Sequence, residues 1–266
     1  MPEVCVSAAF NDLRSRDVRY LQEAARLGDL TVYLWSDKAF QALEGRLPEF
    51  PEAERLYMLN AIRYVKRVEL VDEPFEHAAG GRPDLWVVDA AGDAPAQRHF
   101  CASQGIGYRV IPEAQLQGFP PPAQEVPGPV RPKVIVTGCY DWLHSGHIRF
   151  FEQASAYGDL YVSLGNDANI RQLKGAGHPL LSQDERAYMV GAIRFVTKAF
   201  VAAGFGWLDA ATEIEQIRPD IYLVNQDGDR PEKRAFCRTH GLQYEVLQRL
   251  PKEGLPSRQS TQLRGY

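Results

Sequence analysis

Short apolar runs alternate with stretches of helical spacing along this chain. In the second half the runs are KVIV at 133–136, LYVSL at 160–164, a brief one at 200–202, IYLV at 221–224 and one at 244–247. Each is short, apolar and rich in β-branched residues, which predicts buried strands. Helices are predicted between them. Residues 147–157 form the first. Residues 184–196 place Tyr188, Met189, Ala192, Ile193 and Val196 on one face, and 208–217 stop before Arg218-Pro219. Residues 233–240 are closed by Gly241, a favoured residue just past a helix end. Strands alternating with helices predict an α/β fold with a parallel, doubly wound sheet, in which ligands bind beyond the carboxyl ends of the strands.

The first half repeats this order. Residues 6–37 align without gaps with 136–167, sharing Leu13/Leu143, Ser15/Ser145, Arg19/Arg149, Gly28/Gly158 and Asp29/Asp159. Residues 54–65 (ERLYMLNAIRYV) match 185–196 (ERAYMVGAIRFV) at eight of twelve positions. Residues 82–110 match 218–246, including Arg-Pro-Asp, Gly-Asp and Phe-Cys. One fold is therefore expected twice, as tandem domains over 1–111 and 133–266. The stretch 112–132 holds seven of the 18 prolines. It reads as a semi-rigid linker, because proline fixes φ and lacks an amide donor.

Composition narrows the function. The chain has 266 residues, 45% hydrophobic and 24% charged, with a formal net charge of −4. No basic block points to nucleic acid, and no apolar run reaches the ~20 residues that span a bilayer. No secretory signal is read at the start, so a cytoplasmic protein is expected. Cys5, Cys101, Cys139 and Cys237 form no C-x-x-C pair and no zinc-ligand spacing, so reduced thiols and no protein metal site are expected.

The first strand of the second half runs into Thr137-Gly138-Cys139-Tyr140-Asp141-Trp142-Leu143-His144-Ser145-Gly146-His147. Two histidines flanking a glycine open a helix there. Backbone amides and the helix dipole make that place an anion site, and the imidazoles can donate to the same anion. The pattern is neither a dinucleotide fingerprint nor a Walker loop.

This motif resembles the signature of the cytidylyltransferase family of HxGH nucleotidyltransferases. The resemblance covers essentially 132–264 and includes Leu173-Lys174-Gly175, Gln183-Asp184-Glu185-Arg186, Arg218-Pro219-Asp220 and Arg258-Gln259-Ser260-Thr261. The tandem layout is similar to ethanolamine-phosphate cytidylyltransferases, and the short domain to glycerol-3-phosphate cytidylyltransferases. The resemblance implies a Rossmann-like fold and CMP transfer from CTP to a phosphorylated small alcohol, with pyrophosphate released. It implies that His144, His147 and Lys174 are catalytic, with Lys174 on a mobile loop bridging the two phosphates. Thr137, Gly138, Cys139, Tyr140, Asp141 and Gly146 would line the nucleotide pocket. Asn225 and Asp227 would contact base or substrate, and Arg249 or Arg258 the β- and γ-phosphates. Ser260 and Thr261 would cap a C-terminal helix facing them. Mg²⁺ would arrive with the nucleotide. An adenylyltransferase using ATP and a non-catalytic nucleotide-binding scaffold stand beside this reading.

The first half is an internal control. His144, Gly146 and His147 become Arg14, Arg16 and Asp17; Gly165 becomes Trp35; Asn225-Gln226-Asp227 becomes Asp89-Ala90-Ala91. An aspartate at that helix start repels phosphate. Residues 1–111 are therefore expected to be inactive, packing as the second half of a pseudo-dimer within one chain; a further homo-oligomer stays open. Arg186 recurs as Arg55 in the inactive half, which favours a structural role for both.

Overall fold

The computed structural model describes residues 1–73, 81–121, 130–260 and 263. The chain divides into two units, Met1–Phe119 and Pro120–Tyr266. The first contains β1 (Glu3–Ala8), α1 (Ser15–Ala25), β2 (Asp29–Trp35), α2 (Asp37–Glu44), α3 (Glu52–Asn60), β3 (Arg67–Val71), β4 (Leu85–Asp89), α4 (Pro95–Gln104) and β5 (Gly107–Ile111). The second contains β6 (Lys133–Gly138), α5 (Ser145–Ser155), β7 (Asp159–Leu164), α6 (Asp167–Lys174), α7 (Gln183–Gly191), β8 (Lys198–Val201), α8 (Ala211–Ile217), β9 (Ile221–Asn225), α9 (Pro231–His240) and β10 (Gln243–Leu247).

Each unit is a five-stranded parallel sheet, ordered β3-β2-β1-β4-β5 and β8-β7-β6-β9-β10. The two orders are the same, so the repeat in sequence is a repeat in topology. Val134, Ile135, Val136, Leu160, Val162, Leu164 and Leu223 are fully buried. That explains the continuous apolar runs, since a parallel sheet covered on both faces has no solvent side. On one face Ile135 packs with Ala210, Ile214, Tyr222 and Cys237. β6 lies between β7 and β9, which leave it in opposite directions, so the crevice where a doubly wound sheet binds ligands opens at the carboxyl end of β6.

Three expectations need correction. The helix expected through Val196 stops at Gly191; turn hydrogen bonds Ile193 N to Val190 O and Val196 N to Ile193 O then lead into β8, with Ile193 and Val196 still buried. Lys174 is the last residue of helix α6 rather than part of a loop. The linker does not begin at residue 112, because Glu113–Leu116 form a 3-10 turn packed on the first unit: Arg19 donates to Gln115 O, Arg16 pairs with Glu113, and Leu116 is buried. Residues 122–129 of the remaining proline-rich stretch lie outside the described residues. Among the described residues no helix is long and apolar enough to cross a membrane.

A buried guanidinium ties each unit together. Arg186, fully buried, donates Nε to Leu181 O (3.2 Å), Nη1 to Cys139 O (2.6 Å), and Nη2 to Gly165 O (2.9 Å) and Asp167 Oδ1 (2.7 Å). Arg55 repeats the set with Phe50 O, Ala9 O, Trp35 O and Asp37 Oδ1. Replacing Arg186 by Met should lower the unfolding free energy of the chain by about 3–5 kcal/mol, because its partners lose their donor inside the fold. Urea unfolding followed by circular dichroism measures this, and stability equal to the parent would remove the structural role.

Candidate functional site

The crevice at the end of β6 is a cleft of about 300 Å³ in the second unit. Its wall begins with Thr137, Gly138, Cys139, Tyr140 and Asp141, which leave β6 in a strained turn. Tyr140 has φ +52°, the left-handed region that costs a side-chain-bearing residue energy. Its ring folds back over Gly138, whose added Cβ would meet Tyr140 Cζ at 2.7 Å, and stands edge-on to His147 at 5.3 Å. Phe10 repeats the positive φ in the first unit. The turn therefore belongs to the fold and is used by the site.

His144 is the N-cap of α5, and its Nδ1 accepts from Gly146 N at 3.1 Å. The ring proton then sits on Nε2, which is buried without a hydrogen-bond partner among the described residues. His147 Nδ1 is in the same position. The two rings stack at 3.9 Å with 22° between their planes. Gly146 must be small, since a Cβ there would lie 3.0 Å from the His144 ring. Burial pushes the His144 pKa down to about 3, aided by Arg249 and Arg258. Burial also holds His147 well below its ordinary value, with His144, Arg249 and Lys174 adding to it and a backbone hydrogen bond at Trp142 acting the other way. Both imidazoles are neutral at pH 7 and present buried polar atoms that lack a partner. Such atoms cost energy unless a ligand satisfies them.

Cations surround the pair. Lys174 and Arg249 line the cleft together with Gly146, His147, Asn225, Asp227 and Ser260. Arg249 donates Nη1 to Asp227 Oδ2 and Nη2 to Arg258 O at 3.1 Å, so it joins the end of β9 to the C-terminal segment. Arg258 borders an adjoining recess with Gly146, Asn225 and Arg249. Arg249 is thus the arginine of the main cleft. His144 lies behind the lining, 1% exposed. Ser260 accepts at its carbonyl from Leu263 N; Thr261 and most of the expected C-terminal helix lie outside the described residues.

Asp141 lines the cleft, as the resemblance implies, and also ties down a loop. Its Oδ1 accepts from Leu180 N (2.6 Å) and Leu181 N (3.0 Å), so the carboxylate anchors the segment before α7. Sequence reasoning missed Trp207, Asp209 and Lys233, which line the far end of the cleft. The repeat held a signal for Lys233: its counterpart is Gln97, so the fold does not require a charge there.

The corresponding place in the first unit is filled. Asp17 closes a capping box by accepting from Arg14 N at 2.8 Å, and burial pushes its carboxyl pKa up. Arg16 reaches Asp89 (2.8 Å) and Glu113 (2.6 Å), bridging α1, the end of β4 and the 3-10 turn. Trp35 donates its indole N–H to Ser7 Oγ at the end of β1.

The histidines make stability pH-dependent. Their folded pKa values lie below the unfolded value near 6.5. Between these values the unfolded chain binds protons that the folded chain refuses. Their contribution is therefore complete above about pH 6.5 and is lost as pH falls, for His144 toward about 3. Each ring should add about 1.4 kcal/mol per pH unit to the slope of unfolding free energy well below pH 6.5. A His144→Asn/His147→Asn variant should show a correspondingly flatter slope from pH 6 to 4.5 by urea titration; equal slopes would mean that the rings are not held neutral.

Residues 135–238 match the family model described as cytidylyltransferase-like. The chain is 39% identical over 98 residues to the bifunctional protein HldE of Syntrophotalea carbinolica, covering 35% of this chain and 19% of that protein. It is 44% identical over 118 residues to the bifunctional protein HldE of Geotalea uraniireducens, covering 43% and 23%. The chain thus spans less than a quarter of the length of these relatives. Among solved structures, the crystal structure of a lipopolysaccharide core biosynthesis protein from Thermoplasma volcanium is similar over 46% of this chain and 98% of that one, with TM-score 0.39 and 20% identity. The matched residues 135–238 include the end of β6, the paired histidines and Lys174, so this part of the site is similar to a cytidylyltransferase-like domain.

Proposed function

We propose that the second unit transfers CMP from CTP to the phosphate of a phosphorylated small alcohol, releasing pyrophosphate. The observation that carries this reading is the ring of donors at the start of α5. His147, Lys174 and Arg249 line the cleft there with His144 stacked behind His147, and the twin unit holds Arg14, Arg16 and Asp17 instead. In the reaction an oxygen of the acceptor phosphate forms a bond to the α-phosphorus, and the bond from that phosphorus to the β-bridging oxygen breaks in line. Pyrophosphate leaves with the electron pair. No side chain becomes covalently attached.

Catalysis is then positioning and charge stabilisation. His144 Nε2–H donates to phosphate oxygens. An arriving triphosphate raises both imidazole pKa values, so the rings gain positive character as negative charge enters. Lys174 joins the nucleotide and acceptor phosphates from the end of α6, and Arg249 holds the leaving phosphates. Mg²⁺ fits as an ion carried by the triphosphate, since Asp227 is engaged by Arg249 and Asp141 by two amides. When bound it neutralises phosphate charge. We propose further that the first unit is inactive, its Arg16 bridge occupying the place where phosphates would enter.

Pyrophosphate release with CTP or ATP and a panel of phosphorylated alcohols tests this. CTP should support release. His147→Ala should cut turnover about 10²–10³-fold, the loss of one charge-stabilising donor, with the fold intact by circular dichroism, and Asp17→His should restore nothing. A higher rate with ATP would assign adenylyl transfer, and tight nucleotide binding without release would favour a scaffold.

A further inference from the structure

The far end of the cleft holds a buried amine with unused hydrogen-bonding capacity. Lys233, on α9, is 6% exposed and lines the cleft. Its Nζ donates to Thr137 Oγ1 at 3.1 Å, its one side-chain hydrogen bond among the described residues. An ammonium has three donors, so two are left. Thr137 Oγ1 also lies 2.9 Å from Tyr222 Oη. Whichever hydroxyl donates in that pair, the other keeps its proton, so this end carries a surplus of donors.

Asp209 Oδ2 takes Asn169 Nδ2 at 2.9 Å, and burial raises its carboxyl pKa. One face of Trp207 is covered by the Arg230 guanidinium, 4.8 Å from the ring centre. The first unit shows that the fold does not need this charge. There Trp86 stands for Tyr222 and Gln97 for Lys233, and the Gln97 amide, suitably oriented, accepts from the Trp86 indole N–H.

We propose that Lys233 selects the acceptor: the group of the phosphorylated alcohol that reaches this end is an oxygen, as hydroxyl or carboxylate, and not an ammonium. This rests on the transfer reading above and sharpens it. A primary ammonium would face Lys233 and leave the surplus donors without partners. A hydroxyl or carboxylate oxygen accepts from them.

Three two-carbon phosphates of nearly equal shape test it: ethylene glycol monophosphate, phosphoglycolate and phosphoethanolamine. With the full chain, kcat/KM for the better oxygen-tailed acceptor should exceed that for phosphoethanolamine by about ten-fold or more. Lys233→Gln, which copies the first unit and is checked for folding by circular dichroism, should erase most of that ratio and leave the nucleotide KM unchanged. Phosphoethanolamine as the best of the three, or a ratio unchanged in Lys233→Gln, overturns the proposal. If neither CTP nor ATP yields pyrophosphate with any of them, the transfer reading fails. Calorimetric titration with phosphoglycolate then judges Lys233 alone. Binding weakened about ten-fold by Lys233→Gln supports it, and equal or absent binding overturns it.

Discussion

A buried guanidinium must find oxygen for its N–H groups, and in this protein that need sets the shape of the site. Arg186 reaches the carbonyl of Cys139 after β6, the carbonyl of Gly165 after β7, the carboxylate at the start of α6 and the carbonyl of Leu181 before α7. Four separate stretches of backbone thus converge on one charge. The turn that carries Tyr140 and the N-cap His144 is held from beneath by it. Asp141 adds a second tie, accepting the amides of Leu180 and Leu181. The loops around the cleft are therefore fixed by charge satisfied internally.

The same frame with a different lining separates architecture from chemistry. Arg55 makes the equivalent four contacts, and Phe10 repeats the left-handed turn of Tyr140. These features persist where the histidines do not, so they serve the fold. In the first unit the donors are paired internally, Arg16 with Asp89 and Glu113, and Trp35 with Ser7. In the second, His144 Nε2 and His147 Nδ1 are buried without hydrogen-bond partners among the described residues, and Lys233 makes one side-chain hydrogen bond there. Stability in one unit and binding capacity in the other come from opposite treatment of the same positions.

Much of this was legible in the sequence, for physical reasons. The strands stood out because a sheet buried on both faces needs unbroken apolar runs, and the repeat stood out because the spacings of the Arg186 and Arg55 networks are shared. Helix α6 escaped notice because it buries little beyond Asn169 and Ile170, so no apolar stripe marks it, and Lys174 was placed on a loop. Asp141 lines the cleft as the motif implies, but its anchoring role is hidden in the sequence because its amide partners lie some forty residues on. Lys233 was missed because its partner Thr137 lies 96 residues away and no local motif joins them. Contacts between distant loops are set by topology, and a sequence shows them only when a second copy, such as Gln97, differs.

The balance of hydrogen-bonding groups argues for what enters the cleft. Its acids are engaged: Asp141 by amides, Asp227 by Arg249 and Asp209 by Asn169. Its bases are not matched in the same way, with Lys174 near the histidines and Lys233 at the far end. Keeping the histidines neutral avoids the cost of two stacked cations in a buried place. Buried ring nitrogens that lack partners among the described residues are costly. On the transfer reading proposed above, an oxygen-rich ligand offsets that cost.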